Sequence, residues 1–185
     1  WTSSWFPKKH GFKVNLEEDE AIRAMIKDRI GSAGIDKIVI EKAANKYRIM
    51  IKASRPGLII GRGGKGIEDL TKALEHMLKF MRKRQGIAEP IMLSLNIEEL
   101  KRTEVSANVT AQSIGWDIEK RLPFRRTIKK YLEQIMQNRE VQGAKIKVAG
   151  RLDGGEIART EHLERGNLPL QTLRANIDYG ESTAF

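Results

Sequence analysis

Arg55-Pro56-Gly57-Leu58-Ile59-Ile60-Gly61-Arg62-Gly63-Gly64-Lys65-Gly66 is the run that decides how the rest of this chain is read. Pro56 lacks a backbone N–H and fixes its own φ, so an extended segment arriving at Arg55 has to end there. Leu58 to Ile60 give a short apolar turn, and four glycines then fall within six residues, with Arg62 and Lys65 between them. Downstream, Ile67, Leu70, Leu74, Met77, Leu78 and Met81 recur every three or four residues, the period of a helix with one buried stripe, until Gln85 and Gly86. Pro90 leads into Ile91 to Ile97, read as a closing strand. Upstream, Tyr47 to Lys52 alternates, and before the turn around Ala44 and Asn45 the residues Ile38 and Ile40 alternate with Lys37, Val39 and Glu41, which makes a two-stranded unit. Earlier still, Glu17 to Glu20 precede Ala21, Ile22, Met25, Ile26 and Ile30 at helical spacing, so the acids are expected to open a helix at its dipole-favoured end and Gly31 and Gly34 to stop it. The predicted order is helix, strand, strand, short helix, glycine loop, helix, strand.

Gly61 to Gly66 formally matches G-x-G-x-x-G, but the dinucleotide reading fails on context. It needs a strand running straight into the loop, a following parallel βαβ unit and an acid about 20 residues on. Here Pro56 interrupts the approach and Lys79 to Arg84 is basic. A phosphate-binding P-loop fails as well, because Gly66 follows Lys65 where Ser or Thr is required. What remains is I-G-x-x-G, Ile60 to Gly64 between two helices, which is the KH signature. Glycine lets the backbone turn tightly and approach a sugar-phosphate chain, and the second helix aims its free N–H groups at phosphate. Gly61, Arg62, Gly63, Gly64 and Lys65 are therefore the candidate RNA-binding loop, clamping single-stranded nucleic acid with the bases in an apolar groove. A plain glycine surface turn would carry the same residues, and it is the surrounding element order that argues against it.

Composition agrees with a polyanionic partner. The 185 residues hold 34 Lys and Arg against 24 Asp and Glu, a formal charge of +10, with 40% apolar and 31% charged residues. That is a folded protein of one or two domains, and its excess charge is spread over both halves of the chain. Cys is absent, which excludes disulfides, thiolate zinc, iron-sulfur clusters and cysteine nucleophiles. No apolar run approaches the roughly 20 residues of a membrane helix, so no membrane partner is expected. The chain opens at Trp1 without a Met or an apolar signal segment, so a stretch ahead of Trp1 is expected to be missing.

The second half starts after the charged joint Glu98 to Glu104. Ala107, Ala111, Ile114, Ile118 and Leu122 mark one amphipathic helix, and Pro123 can begin another carrying Phe124, Ile128, Leu132 and Ile135. The two helices make a hairpin. Ala144 to Ala149 then alternates, Asp153 to Gly155 turns, and Leu168 to Tyr179 reads as a second extended run. The organisation predicted is a leading segment 1–16, an RNA-binding domain 17–100 and a second domain 101–185, the last a helical hairpin packed on an antiparallel sheet. The fold class is α+β throughout.

Basic side chains cluster outside the loop. Arg125, Arg126, Lys129 and Lys130 crowd one helix, with Lys120 and Arg121 just before it and no acid in sequence until Glu133. Like charges four apart on a helix repel, so a polyanion is expected to neutralise them, although a solvated helix face would read the same way. Arg151, Arg159, Arg165 and Arg174 lie in and between glycine turns, where guanidinium forks can take phosphates, and about half of them are expected to pair instead with Glu156, Glu161, Glu164 or Asp178. Trp1, Trp5, Phe6 and Phe12 could stack on bases but fit simple packing better.

The whole chain resembles the bacterial small-subunit ribosomal protein S-three family. The resemblance is carried by W-T-S-S-W-F at Trp1 to Phe6, R-P-G-L-I-I-G-R-G-G at Arg55 to Gly64, F-R-R-T-I-K-K at Phe124 to Lys130, G-R-L-D-G-G-E-I-A-R-T-E at Gly150 to Glu161 and P-L-Q-T-L-R-A-N-I-D-Y-G at Pro169 to Gly180. It implies a type II KH domain followed by a family-specific C-terminal domain, with a short extension before Trp1 and a further strand and basic tail after Phe185. It further implies a protein of the ribosome in the cytoplasm, in the head of the small subunit beside proteins S-ten and S-fourteen. By the same resemblance Arg125, Arg126 and Lys129, with Lys130 alongside, face the messenger RNA entrance and help unwind messenger structure, while Arg151, Arg159, Arg165 and Arg174 become candidates for ribosomal RNA contacts.

Catalysis finds little support in the residues. His10, His76 and His162 are isolated, and no H-E-x-x-H, G-x-S-x-G or two-metal aspartate pattern occurs. Glu161 and Glu164 beside His162 match no ligand spacing and read as surface pairing. No catalytic residue, metal or cofactor is expected. A free KH regulator of messengers and the RNA-capture part of a processing enzyme are the alternatives; the second domain argues against the first and the length against the second.

Overall fold

The computed structural model describes residues 1–7, 11–43, 45–84, 90–101 and 105–185. His10, the expected turn at Ala44, the expected helix stop at Gln85 and Gly86, and the end of the charged joint at Glu104 lie outside them. The chain divides into two units, Trp1–Lys101 and Arg102–Phe185, and both are α+β.

In the first unit β1 (Ser3–Ser4), β2 (Ile35–Ala43), β3 (Lys46–Ala53) and β4 (Met92–Glu99) form one sheet in that spatial order. β2 and β3 are antiparallel, whereas β1 runs parallel to β2 and β4 parallel to β3. Helices α1 (Phe12–Ile30), α2 (Pro56–Ile60) and α3 (Lys65–Arg84) complete it, in the order read from the sequence. The core is aliphatic: Ile22 and Ile26 of α1, Ile38, Ile40, Ile49 and Ile51 of the sheet, Ile59 of α2, and Leu70, Leu74 and Leu78 of α3. On α3 the buried residues recur every four positions, so one stripe of the helix lies on the sheet. The described residues ahead of Glu17, 1–7 and 11–16, belong to this unit. The Thr2 carbonyl accepts from the Ile40 amide at 2.9 Å, and Arg23 of α1 donates to the Ser3 hydroxyl at 2.8 Å, to the Thr2 carbonyl at 3.0 Å and to the Ile38 carbonyl at 2.8 Å.

α1 departs from expectation at its start. It begins at Phe12, five residues before Glu17, and has no acid in its first turn. Glu18 and Asp19 are buried, because Glu18 shares a stripe with Ile22 and Ile26 at four-residue spacing. A buried carboxylate is tolerable only with partners, and here three other elements supply them. Glu18 Oε2 accepts from Lys42 Nζ of β2 and from the Tyr47 hydroxyl of β3, each at 2.5 Å, and Glu18 Oε1 accepts from Arg82 Nε of α3 at 3.1 Å. Arg82 Nη2 closes the ring by donating to the Tyr47 oxygen at 2.7 Å. Burial by itself would raise the carboxyl pKa of Glu18, but the hydrogen bonds from Lys42 and Tyr47, the Lys42 charge and Arg82 outweigh it and hold the pKa below the ordinary value. Burial, with the Glu18 charge beside it, pushes the Tyr47 phenol up.

In the second unit α4 (Ala107–Glu119) starts under the Ser106 side chain, which accepts from the Val109 amide at 3.3 Å, and α5 (Phe124–Met136) follows Pro123. Leu122, expected to end the stripe of α4, lies in the turn between the helices and is exposed. Phe124, Ile128 and Leu152 pack with Ile118, Ile146, Val148 and Leu163, joining the helices to β5 (Gly143–Gly150) and β6 (Arg159–Gly166).

The partner of β5 is not the one expected. β6 pairs with it in antiparallel register, Ile146 opposite Leu163 and Val148 opposite Glu161. The run Leu168 to Tyr179 forms no strand. Its alternation marks a side that could be buried, but Pro169 has no N–H to give a ladder, and the chain bends instead. The Leu170 amide donates to Leu168 O at 2.9 Å, Thr172 to Pro169 O at 3.2 Å and Ala175 to Thr172 O at 3.0 Å. Beyond these turns the segment returns to α4, where Asp178 Oδ2 accepts from the Ala107 amide at 2.7 Å and so caps the helix start.

Candidate nucleic-acid interface

Two surfaces hold most of the candidate residues. The first is the loop between α2 and α3. Gly61 leaves α2 at φ 69°, and Arg62–Gly64 make a single 3-10 turn with Gly63 at φ 63° and Gly64 at φ 81°. Three left-handed residues in four are costly for any residue with a Cβ. Gly66 serves packing instead: a Cβ there would stand 2.5 Å from the Ile59 carbonyl oxygen, so its absence lets α3 cross close to α2. Ile59 is buried and pins the turn to the core, while Leu58 and Ile60 on its flanks are 59% and 39% exposed. The Arg62 and Lys65 side chains are exposed, with no carboxylate partner for either among the described residues. The arrangement presents two cations and apolar surface around a bare backbone turn at a helix start, which suits phosphates on the turn and bases against Leu58 and Ile60.

The second surface is the outer face of α5. Phe124, Thr127, Ile128 and Leu132 are buried, which turns Arg125, Arg126, Lys129 and Lys130 outward. Their freedom from acid, read from the sequence, needs correction. Arg125 Nε and Nη2 donate to the two oxygens of Glu161 at 3.1 and 2.9 Å, a side-on fork across from β6. Arg159 Nε stands 3.4 Å from the same carboxylate, and Lys130 Nζ is 3.8 Å from Asp117 of α4. Neighbours in space were not neighbours in sequence. Arg126 and Lys129 have no carboxylate partner among the described residues. The hydrogen bond from Arg125 holds the Glu161 carboxyl below its usual range, with the Arg125 and Arg159 charges helping, and Glu161 in turn raises the pKa of Arg125. Guanidiniums of Arg125 and Arg159 flank the Phe124 ring at 5.7 and 5.9 Å.

The remaining candidates are scattered through the second unit. Arg151 donates to the Gly155 carbonyl at 2.9 Å and holds the turn Leu152–Gly154, where Asp153 sits at φ 55°. Of the acids expected to take arginines, Glu161 takes Arg159 and also Arg125, Glu164 pairs with Lys145 at 2.9 Å and Asp178 caps α4. Arg165 and Arg174 are exposed and have no carboxylate partner among the described residues. His162 and Glu161 are adjacent on β6 and therefore point to opposite faces, so the imagined cluster does not assemble. No group of three metal-ligating side chains occurs among the described residues.

The comparisons cover both units. Residues 21–105 match the family described as KH domain, and residues 114–185 match Ribosomal protein S3, C-terminal domain. The chain is 41% identical over 185 residues to small ribosomal subunit protein uS3 of Helicobacter acinonychis (strain Sheeba), an alignment covering 100% of the chain and 74% of that protein. It is 42% identical over 184 residues to small ribosomal subunit protein uS3 of Clostridium novyi (strain NT), covering 100% of the chain and 78% of that protein.

Proposed function

Because this chain belongs to the uS3 family of small-subunit ribosomal proteins, we propose that it is a structural protein of the cytoplasmic small ribosomal subunit, fastened to ribosomal RNA in the subunit head, with the basic face of α5 lining the messenger RNA entrance. Proteins S-ten and S-fourteen are its proposed neighbours. It is read as a binder and not as an enzyme. The observation that carries the messenger role is the outer face of α5, where four cations stand exposed on a helix whose other side is locked into a core. Contacts of Arg and Lys to phosphate carry no base information, so the face takes any messenger sequence. It keeps strands apart by position and charge, without nucleotide hydrolysis. The glycine loop, with Arg62 and Lys65, is the single-strand clamp, and Arg151, Arg159, Arg165 and Arg174 supply ribosomal RNA contacts.

Sedimentation of the tagged protein from cell lysate tests the placement. Nearly all of it should travel with the small subunit at moderate salt, and a pool that stays at the top of the gradient with mature subunits lacking the protein would overturn the reading.

A further inference from the structure

The ion pair of Glu161 with Arg125 has the geometry of a guanidinium on a phosphodiester: two oxygens of one anion on the Nε and Nη2 edge, at 3.1 and 2.9 Å. The anion is well anchored. Glu161 lies opposite Val148 in the ladder, its side chain is 30% exposed, and Arg159 holds it from a second direction at 3.4 Å. Its partner is not anchored, since the Arg125 side chain is 71% exposed. Exposed ion pairs of this kind are weak, so an incoming phosphate can displace the carboxylate at little cost. A guanidinium that gives up a carboxylate as it takes a phosphate brings no net charge to the RNA, and it therefore adds contact without adding much net affinity or salt dependence.

We propose that Glu161 is an internal stand-in for phosphate, competing with the RNA backbone for the same edge of Arg125, so that Arg125 takes hold and lets go by exchange and the face of α5 grips weakly enough for a strand to slide. This rests on the reading of that face as a messenger contact. Arg126 and Lys129, which lack such a competitor among the described residues, are the steady contacts.

The test is binding of the full chain to a short single-stranded RNA oligomer across a salt series. Glu161→Gln keeps the size of the side chain and removes the competitor. Affinity should rise roughly three- to tenfold at low salt, and the slope of log K against log salt should steepen by about 0.7. In the Arg125→Ala background the same substitution should gain less than about twofold, because the edge being competed for is gone. An unchanged affinity in Glu161→Gln, or an equal gain with and without Arg125, overturns the competition. The combined variant Arg125→Ala, Arg126→Ala, Lys129→Ala separates the two levels: binding equal to the parent's defeats the messenger reading itself, whereas weakened binding there with no gain in Glu161→Gln defeats the competition alone. Thermal midpoints within about 2 °C of the parent show that each variant is folded.

Discussion

At Glu18 a single carboxylate decides whether four elements meet. It is 1% exposed and receives Lys42, Tyr47 and Arg82 from β2, β3 and α3. Removing one member leaves the others buried and unbalanced, at a cost of about 3–5 kcal/mol for an ion-pair partner. Arg82→Met should therefore lower unfolding free energy by about 3 kcal/mol in urea titrations, and Glu18→Met by a similar amount. The double substitution should cost less than the two singles together, since neither charge is then stranded. Acid gives a second check. The folded pKa of Glu18 lies below its unfolded value, so its contribution is fully present above the unfolded pKa, near 4.3 for a free Glu, and is lost as pH falls through the folded one. Stability should drop below about pH 4 in the parent, and Glu18→Gln should flatten that limb; an equally steep limb in both would show that Glu18 is not the titrating group. None of this cluster was legible in the sequence. The bonding partners of Glu18 stand 24, 29 and 64 residues away, and an acid run before an apolar helix reads more naturally as a helix start.

Elements were legible where their signal is local. The glycines at Gly61, Gly63 and Gly64 announce a left-handed turn wherever they sit, and the four-residue stripe of α3 survives any context, so the loop and its two helices follow from the sequence alone. β6 did not, because R-T-E-H-L-E-R-G carries one large apolar residue, Leu163, and its other inward position is Glu161, which Arg125 neutralises. Alternation in Leu168 to Tyr179 was the stronger pattern, yet a strand needs an edge to pair with as well as a pattern. The loop also carries a prediction of its own. Arg62 and Lys65 point outward from a turn whose fold depends on glycines and Ile59, so charge reversal there should affect binding and not folding. The variant Arg62→Asp with Lys65→Asp should weaken binding to single-stranded RNA and reduce its salt slope by about one to two, with a stability change within about 0.5 kcal/mol. Unaltered binding would make the loop a plain turn.

Over the whole molecule, the formal charge of +10 falls on both units, one with the glycine loop and one with the face of α5, and the two surfaces differ in what they can do. A backbone turn beside exposed Leu58 and Ile60 is suited to holding particular nucleotides in place, whereas α5 exposes no large apolar side chain among its cations and is suited to holding phosphate. The proposed anchor at the loop and the proposed sliding contact on α5 are therefore separable by substitution. Arg125→Ala, Arg126→Ala and Lys129→Ala together remove exposed charge from one helix face while leaving Phe124, Ile128 and Leu132 in their core, so the protein should fold and enter small subunits at nearly the normal yield. Subunits carrying it should translate unstructured messengers at close to the normal rate and slow markedly on messengers with a stable hairpin downstream, because the proposed hold on opened strands is lost. The measurement is the ratio of elongation rates on the two messengers with purified subunits. Equal slowing on both would mean that the face serves general binding, and failure of the variant to enter subunits would make it an anchor on ribosomal RNA.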